Sequence, residues 1–183
     1  MTGVQTCALP IFPTLPGVPA NAPTGMANPV LYYDWGKDFS NLDGSGIRTQ
    51  VPPLVKGAAK MMVPRVDADG NDVGGVPVVL RDAPLGTYLG WNVVADGFHK
   101  GKLCNYAGGM IPFAVTKAER MAKGDPRLSL EERYKDHDGY VAAVRAAAAK
   151  AVTEKFLLRD DADKLIAQAA ASDVLRAVSV NSR

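Results

Sequence analysis

The sharpest constraint on the fold is a change of composition near Thr116. Before it, glycine and proline are dense; after it, alanine, leucine, lysine and glutamate dominate, and apolar residues recur at helical spacing. Glycine and proline disfavour helix interiors. We therefore expect an α+β fragment. Residues 30–115 form a loop-rich region with short strands such as Val30–Tyr33, residues 116–178 a helical region, and residues 179–183 a disordered tail.

The start of the chain has an unusual composition. Residues 1–11 resemble the translation of a widely used DNA sequencing adapter. We interpret them as an artefact and leave them out of fold reasoning. Residues 12–29 contain Pro-Gly, Pro-Ala and Asn-Pro steps, which predict an extended linker on a surface. No lysine or arginine precedes Lys37, so no signal peptide is visible, and the localisation stays open.

Charge and hydropathy exclude some classes of partner. The chain is 47% hydrophobic and 22% charged, as is typical of a folded chain. Its net charge of +2 is too small to indicate a nucleic-acid partner. No apolar run approaches the roughly 20 residues of a membrane span, so we expect no membrane partner. Outside residues 1–11 Cys104 is the single cysteine, which excludes an internal disulfide there.

A hairpin is predicted in the loop-rich region. The apolar run Met61–Val66 is followed by the Asp/Gly/Asn-rich stretch 67–72 and then by the apolar run Val76–Leu80. Apolar run, turn and apolar run are the signature of a β-hairpin. Pro64 and Pro77 indicate edge strands, because proline donates no ladder hydrogen bond.

Three to four helices are predicted after Thr116. They are expected near residues 116–122, 130–135 and 139–156, and from Asp160 or Asp161 onward. Thr116 with Glu119, and Ser129 with Glu132, fit the capping-box pattern at helix N-termini. Asp136 or Asp138 is expected to cap the third helix.

Two of these helices carry apolar stripes that should face a core. The spacing predicts the following buried positions: Val141, Val144, Ala148, Val152 and Phe156 on the third helix, and Ala162, Leu165, Ile166 and Ala169 on the fourth. Each buried Leu, Val or Phe contributes about 1.5–3 kcal/mol. The helices should therefore dock firmly against another part of the molecule.

The most distinctive stretch is Pro84–Asn92, in which two glycines separate a threonine, a tyrosine and a Trp-Asn pair. Tyr88 and Trp91 offer large apolar surfaces with a polar tip. With Phe113 they are candidates for the wall of a ligand cleft. The alternative, which we favour, is an irregular segment packed against a neighbouring domain.

The sequence contains no complete motif for metal binding or for nucleophilic catalysis. Asp67-x-Asp69-x-Asn71 resembles the start of an EF-hand loop, but its sixth and twelfth positions, Asp72 and Val78, are not the required glycine and acidic residue. A turn is therefore favoured. The sequence also lacks Gly-x-Ser-x-Gly, the usual turn around a nucleophilic serine. We predict no catalytic residue, no metal ligand and no cofactor site.

The two histidines, His99 and His137, are expected to lie in solvated loops. His99 is flanked by glycines, and His137 stands between two aspartates just before a predicted helix. An independent enzyme that uses His99 or His137 with Asp136 is the least favoured of our hypotheses.

Several strings together resemble a family of bacterial proteins described as alpha/beta hydrolase domain-containing. They are Val63–Asn71, Pro84–Asn92, Ile111–Ala114, Glu119–Arg120 and Gly124–Tyr134. The last string is the most specific, and the resemblance covers about residues 12–170. The chain departs from the family pattern at Leu128, Val76–Pro77 and Gly108–Met110.

The resemblance implies that the chain is the C-terminal part of an α/β-hydrolase-type parent. In that family the serine nucleophile and the catalytic histidine lie upstream of this region, and no residue here matches their motifs. We therefore expect a non-catalytic fragment of a serine hydrolase of ester-type bonds, with the upstream hydrolase core as its partner. The alternative is a non-enzymatic accessory or ligand-binding module.

Overall fold

The computed structural model describes residues 7–8, 14–18, 30–42, 44–59, 63–104 and 108–176. The artefact predicted for residues 1–11 and the linker predicted for 12–29 lie mostly outside these ranges, and the tail at 179–183 lies wholly outside them. Within the predicted linker, a turn is described in which the amide of Val18 donates to the carbonyl oxygen of Leu15 at 3.1 Å.

The described chain is a mixed α/β structure in which short strands, with one short helix among them, are followed by four helices. The strands are β1 (Cys7–Ala8), β2 (Leu31–Asp34), β3 (Leu54–Ala58), β4 (Val63–Pro64), β5 (Gly86–Leu89) and β6 (Gly109–Pro112). The helices are α1 (Val79–Asp82), α2 (Lys117–Lys123), α3 (Leu130–Tyr134), α4 (His137–Thr153) and α5 (Arg159–Ala171). The strands pair antiparallel as β1–β4, β2–β3 and β5–β6. This architecture confirms the predicted α+β class.

The specific hairpin predicted between Met61–Val66 and Val76–Leu80 is wrong. β4 pairs with β1 instead. An isolated bridge between Val66 and Asp72 spans the turn at residues 67–71, and no ladder continues beyond it in the described residues. The second apolar run does not return as a strand, because its last two residues begin α1, which packs against α4. Pro77 therefore lies outside the strands of the described ranges.

The four predicted helices are confirmed as α2 to α5, and their caps explain where they begin. The Ser129 side chain accepts from the amide of Glu132, and the Glu132 carboxylate accepts from the Ser129 amide at 3.0 Å, so the capping box is complete. Thr116 accepts from the amide of Glu119 at 3.1 Å. Asp136, rather than Asp138, caps α4 by accepting from the amide of Gly139 at 2.8 Å.

The buried face of α4 differs from the predicted stripe. Val144 and Ala148 are buried as expected, but Phe156 lies beyond the helix end and is 43% exposed. Tyr140 is buried instead, because its ring packs edge-on against Tyr134 with centroids 5.4 Å apart. The buried alanines Ala147, Ala148 and Ala151 lie on the same helix, which packs against α5.

The predicted inner face of α5 agrees with the structure. Ala162 and Ala169 are buried, and Leu165 and Ile166 are partly buried. The resulting core lies between α1, α3, α4 and α5, with Phe113 joining it from the end of β6.

Candidate functional site

The turn at residues 67–71 is an anchor for β5. The Asp67 carboxylate accepts from the amides of Asp69 and Asn71, both at 2.9 Å. The buried Asn71 side chain then donates to the carbonyl oxygen of Gly86 at 3.2 Å and accepts from the amide of Tyr88 at 2.7 Å. Both ends of the Asn71 amide are thus used in holding the strand, which confirms the predicted turn.

A buried guanidinium, Arg127, holds β5, β6 and the loop before α3 together. Its side chain is 1% exposed. Its Nε and Nη2 donate to the Asp125 carboxylate at 2.9 and 2.6 Å. Its Nη1 donates to Thr87 Oγ1 at 2.8 Å and to the carbonyl oxygen of Ile111 at 2.9 Å, and Nη2 also reaches that of Pro112 at 3.3 Å. All five donors of the guanidinium are therefore occupied, and none is left for a substrate.

The groups around Arg127 are also mutually satisfied. Thr87 is fully buried and donates its hydroxyl proton to the carbonyl oxygen of Asp69. Burial raises the pKa of Asp125, but hydrogen bonds from Arg127 outweigh it and hold that pKa below its usual value. The carboxylate is thus kept ionised beside its arginine.

A second arginine, Arg133, completes this arrangement. It pairs with the Asp69 carboxylate and lies over the Phe113 ring, 4.2 Å from its centroid. Arg127 lies 5.1 Å from the same ring. Cation–π contacts of this kind strengthen when the cation is removed from water. We call Asp69, Thr87, Asp125, Arg127 and Arg133 the arginine cluster.

The start of α3 is tied to α2 by an adjacent ion pair. Arg120 donates through Nε and Nη2 to both oxygens of Glu132, at 2.8 and 3.1 Å. Hydrogen bonds from Arg120 and from the amide of Ser129 lower the pKa of Glu132 from 4.5 to about 2. Ser129 Oγ also donates to Glu132, at 2.8 Å. The hydroxyl of this buried serine thus serves the helix cap.

Tyr88, Trp91 and Phe113, the residues predicted to line a cleft, have different surroundings. Phe113 is buried beneath the two arginines. The Tyr88 hydroxyl accepts from the amide of Leu85 at 3.3 Å, and Trp91 is partly buried. Their shared cleft stays a prediction. The Pro84–Asn92 stretch is more regular than expected, because it contains β5.

His137 is not the solvated loop residue that was predicted. It is the first residue of α4, and its Nδ1 and Nε2 lie 2.8 and 3.2 Å from the carbonyl oxygens of Val174 and Ala170. These contacts tie the end of α5 to the start of α4. His99 lies in an exposed turn as predicted, with its ring edge-on to Phe98 at 4.8 Å.

An apolar cavity of about 380 Å³ lies between α1, α4 and α5. Its walls are formed by the segment leading into α1, the buried face of α4 and the inner face of α5. The lining residues are Pro77, Val78, Val79, Leu80, Ala83, Leu85, Tyr140, Val144, Ala151, Phe156, Leu157, Leu165, Gln168, Ala169, Ser172 and Val174. Tyr88, Trp91 and Phe113 are not among them.

The arginine cluster and the cavity have opposite characters. The cluster is polar, buried and saturated with hydrogen bonds, so it can hold a fold but cannot receive a ligand without losing bonds. The cavity is apolar and falls at the lower end of the about 300–1,000 Å³ typical of small-molecule sites. Three residues of the cluster lie in Gly124–Tyr134, the string in which the family resemblance is most specific. No sequence motif predicts the cavity.

The described residues contain neither a metal-ligand group nor a membrane-spanning helix. They contain no group of three or more His, Cys, Asp or Glu side chains placed to hold a metal ion. Their helices include none that is long and apolar enough to cross a membrane.

Comparison with known proteins gives one family. A family model described as an alpha/beta hydrolase domain matches residues 37–167, more than two thirds of the 183 residues. The match spans the arginine cluster and most of the residues that line the cavity. No curated protein and no solved structure matches the chain significantly.

Proposed function

The chain belongs to the alpha/beta hydrolase domain family, and we propose that it is the non-catalytic C-terminal region of a serine hydrolase of ester-type bonds. In this proposal the nucleophile, its base and the oxyanion hole lie in an upstream core of the parent chain. The present region supports that core with its hairpins and helices.

The observation that carries the proposal is that the buried side chains that could take part in catalysis already form hydrogen bonds that hold the fold together. Arg127 has all five donors used, and Ser129 Oγ donates to Glu132 rather than to a histidine. Three segments of the sequence have glycines four residues apart, but their central residues are Asp72, Tyr88 and His99, not serine. The family motif that is most specific in this chain, Gly124–Tyr134, thus builds a framework.

The exposed β2–β3 hairpin supports a docking role toward the core. Tyr32, Leu54 and Val55 are each more than half exposed. Apolar side chains on a strand pair are normally covered by another layer. In the parent, we propose, the hydrolase core supplies that layer.

Activity-based labelling tests the proposal. The purified 183-residue chain is treated with a fluorophosphonate probe and assayed with p-nitrophenyl butyrate, beside a known serine hydrolase as positive control. We expect no covalent label and no turnover sensitive to the probe. Labelling of a serine in this chain, together with inhibited turnover, would overturn the proposal.

Histidine variants distinguish an all-in-one enzyme within the same assay. If turnover is found, His99→Ala and His137→Ala show whether a histidine acts as the base, because general-base catalysis contributes about 10²–10⁴-fold. A loss of that size in either variant would establish the independent enzyme.

A ligand-binding module is the second candidate, and the apolar cavity favours it. Such a module would bind a small molecule without hydrolysing it. Binding without labelling supports this candidate, whereas labelling supports an enzyme.

A further inference from the structure

We propose that the cavity between α1, α4 and α5 binds a neutral, apolar small molecule, such as a medium-length alkyl chain that ends in a hydroxyl group. This inference rests on the second candidate function, a ligand-binding module, and names the class of ligand that the module would bind. Its failure would leave the first candidate untouched, because covalent labelling and ligand binding are measured separately.

The floor of the cavity is buried and lined mainly by small side chains. Ala83, Val144, Ala151 and Ala169 line it and are between 3% and 5% exposed. Larger side chains at the alanine positions would fill the space. Protein interiors are otherwise close-packed, and apolar walls that face a void lose dispersion contacts. An apolar guest restores those contacts without any rearrangement of the walls.

The lining of the cavity selects against charge. None of its residues is charged, and its polar side chains are Tyr140, Gln168 and Ser172. The Ser172 hydroxyl already donates to the carbonyl oxygen of Ala169 at 2.7 Å. Lys150, on α4, does not line the cavity and is paired with Asp82 at 3.0 Å. A carboxylate would lose its hydration without gaining a partner, so the ligand is neutral.

The volume sets the size of the ligand. An apolar cavity of about 150 Å³ accommodates benzene. By proportion, about 380 Å³ accommodates about ten to fifteen non-hydrogen atoms. Exposed apolar side chains at Val78 and Leu80 extend the lining outward. The polar end of the ligand therefore also lies among apolar side chains, where a hydroxyl group costs less to desolvate than a carboxylate. 1-Decanol meets these requirements.

The first experiment compares two probes of equal chain length on the full chain at pH 8. 1-Decanol and decanoate are titrated by calorimetry and by methyl NMR. We expect 1-decanol to bind and to shift the methyl signals of Val144 and Leu165, and decanoate to bind at least about tenfold more weakly. Absence of 1-decanol binding, or equal binding of both probes, would overturn the proposal.

The second experiment fills the cavity. Ala151→Leu and Ala169→Leu place a larger side chain in it from two different helices, and Ala146→Leu on the exposed face of α4 is the matched control. Binding of 1-decanol should fall at least about tenfold in the filled variants and stay within about twofold in the control. Circular dichroism verifies that each variant is folded. If neither filled variant folds, the two-probe comparison decides alone.

Two further results would contradict the proposal. Unchanged binding in a folded filled variant would place 1-decanol elsewhere on the chain. Light scattering that shows a dimer, lost in Ala151→Leu and insensitive to 1-decanol, would assign the cavity to a second copy of the chain.

Discussion

The β2–β3 hairpin and the helical region are built in opposite ways. From residue 30 to residue 59, none of the described residues is buried. Between Ala83 and Ala169 lie most of the buried apolar residues and all of the arginine cluster except Asp69. The hairpin has regular backbone pairing and almost no core, whereas the helical region has both a core and a polar framework.

This difference shows that backbone pairing alone does not make a region independently stable. A two-stranded hairpin in water is marginal unless its faces are packed. Among its described residues the hairpin has one ion pair, Lys56 with Asp34 at 3.1 Å, and a Trp35 ring that contacts Arg48. Such exposed pairs contribute little. The free energy of unfolding should therefore reside in the helical region.

Arg127→Ala should have the largest effect on stability. It removes five donors and leaves the Asp125 carboxylate buried without its partner. Breaking a buried ion pair in this way costs about 3–5 kcal/mol. Urea unfolding followed by circular dichroism measures the loss.

Arg127→Lys is the control for charge. It keeps the positive charge but not the planar set of donors, so it should lose less than Arg127→Ala and more than a surface substitution. A loss below about 0.5 kcal/mol for Arg127→Ala would show that the cluster does not carry the stability of the helical region.

The next largest effect comes from a matched pair of valines, one in each region. Val144 is 4% exposed and Val55 is 57% exposed. Val144→Ala should cost about 2 kcal/mol, from two lost methyl groups and the space they leave. Val55→Ala should stay within about 0.5 kcal/mol. Equal losses at the two positions would mean that the hairpin has a packed face after all.

The sequence predicts the helical region better because its signals are local. Capping residues lie within three positions of the amides they bond, as Thr116, Ser129 and Asp136 do. The spacing of apolar residues indicates the helices themselves. It does not predict every buried residue of α4, since Tyr140, outside the predicted stripe, is buried against Tyr134.

The features that the sequence does not predict depend on contacts between distant segments. Arg127 bonds Thr87 across 40 positions and Ile111 across 16. No periodic pattern indicates such pairs, although the resemblance had marked the surrounding string as specific. The predicted hairpin was wrong for the same reason, since β4 has its partner in β1 rather than in the next apolar run. The cavity results from small residues on separate elements and has no local signature.

A smaller loss is expected for Ser129→Ala. The Ser129 side chain accepts from the amide of Glu132 and its hydroxyl donates to the Glu132 carboxylate. Loss of an N-terminal cap costs about 0.5–2 kcal/mol. Thermal unfolding should show a lower midpoint. Ser45→Ala, in the exposed loop between β2 and β3, should leave the midpoint unchanged.

The smallest effect concerns the dependence of stability on pH. The pKa of Glu132 is lowered from 4.5 to about 2, mainly by Arg120, so the folded chain binds a proton less readily there than the unfolded chain. The stabilisation is complete above pH 4.5 and is lost as the pH falls toward 2. Urea unfolding between pH 6 and pH 2.5 should therefore show a decline in the free energy of unfolding that Glu132→Gln reduces.

The control for this prediction is Asp34 in the hairpin, whose pKa is also lowered, by the amide of Gly36 and by Lys56. Because global unfolding depends on the helical region, Asp34→Asn should leave the decline unchanged, and an equal effect of both substitutions would show that the hairpin unfolds together with the helices.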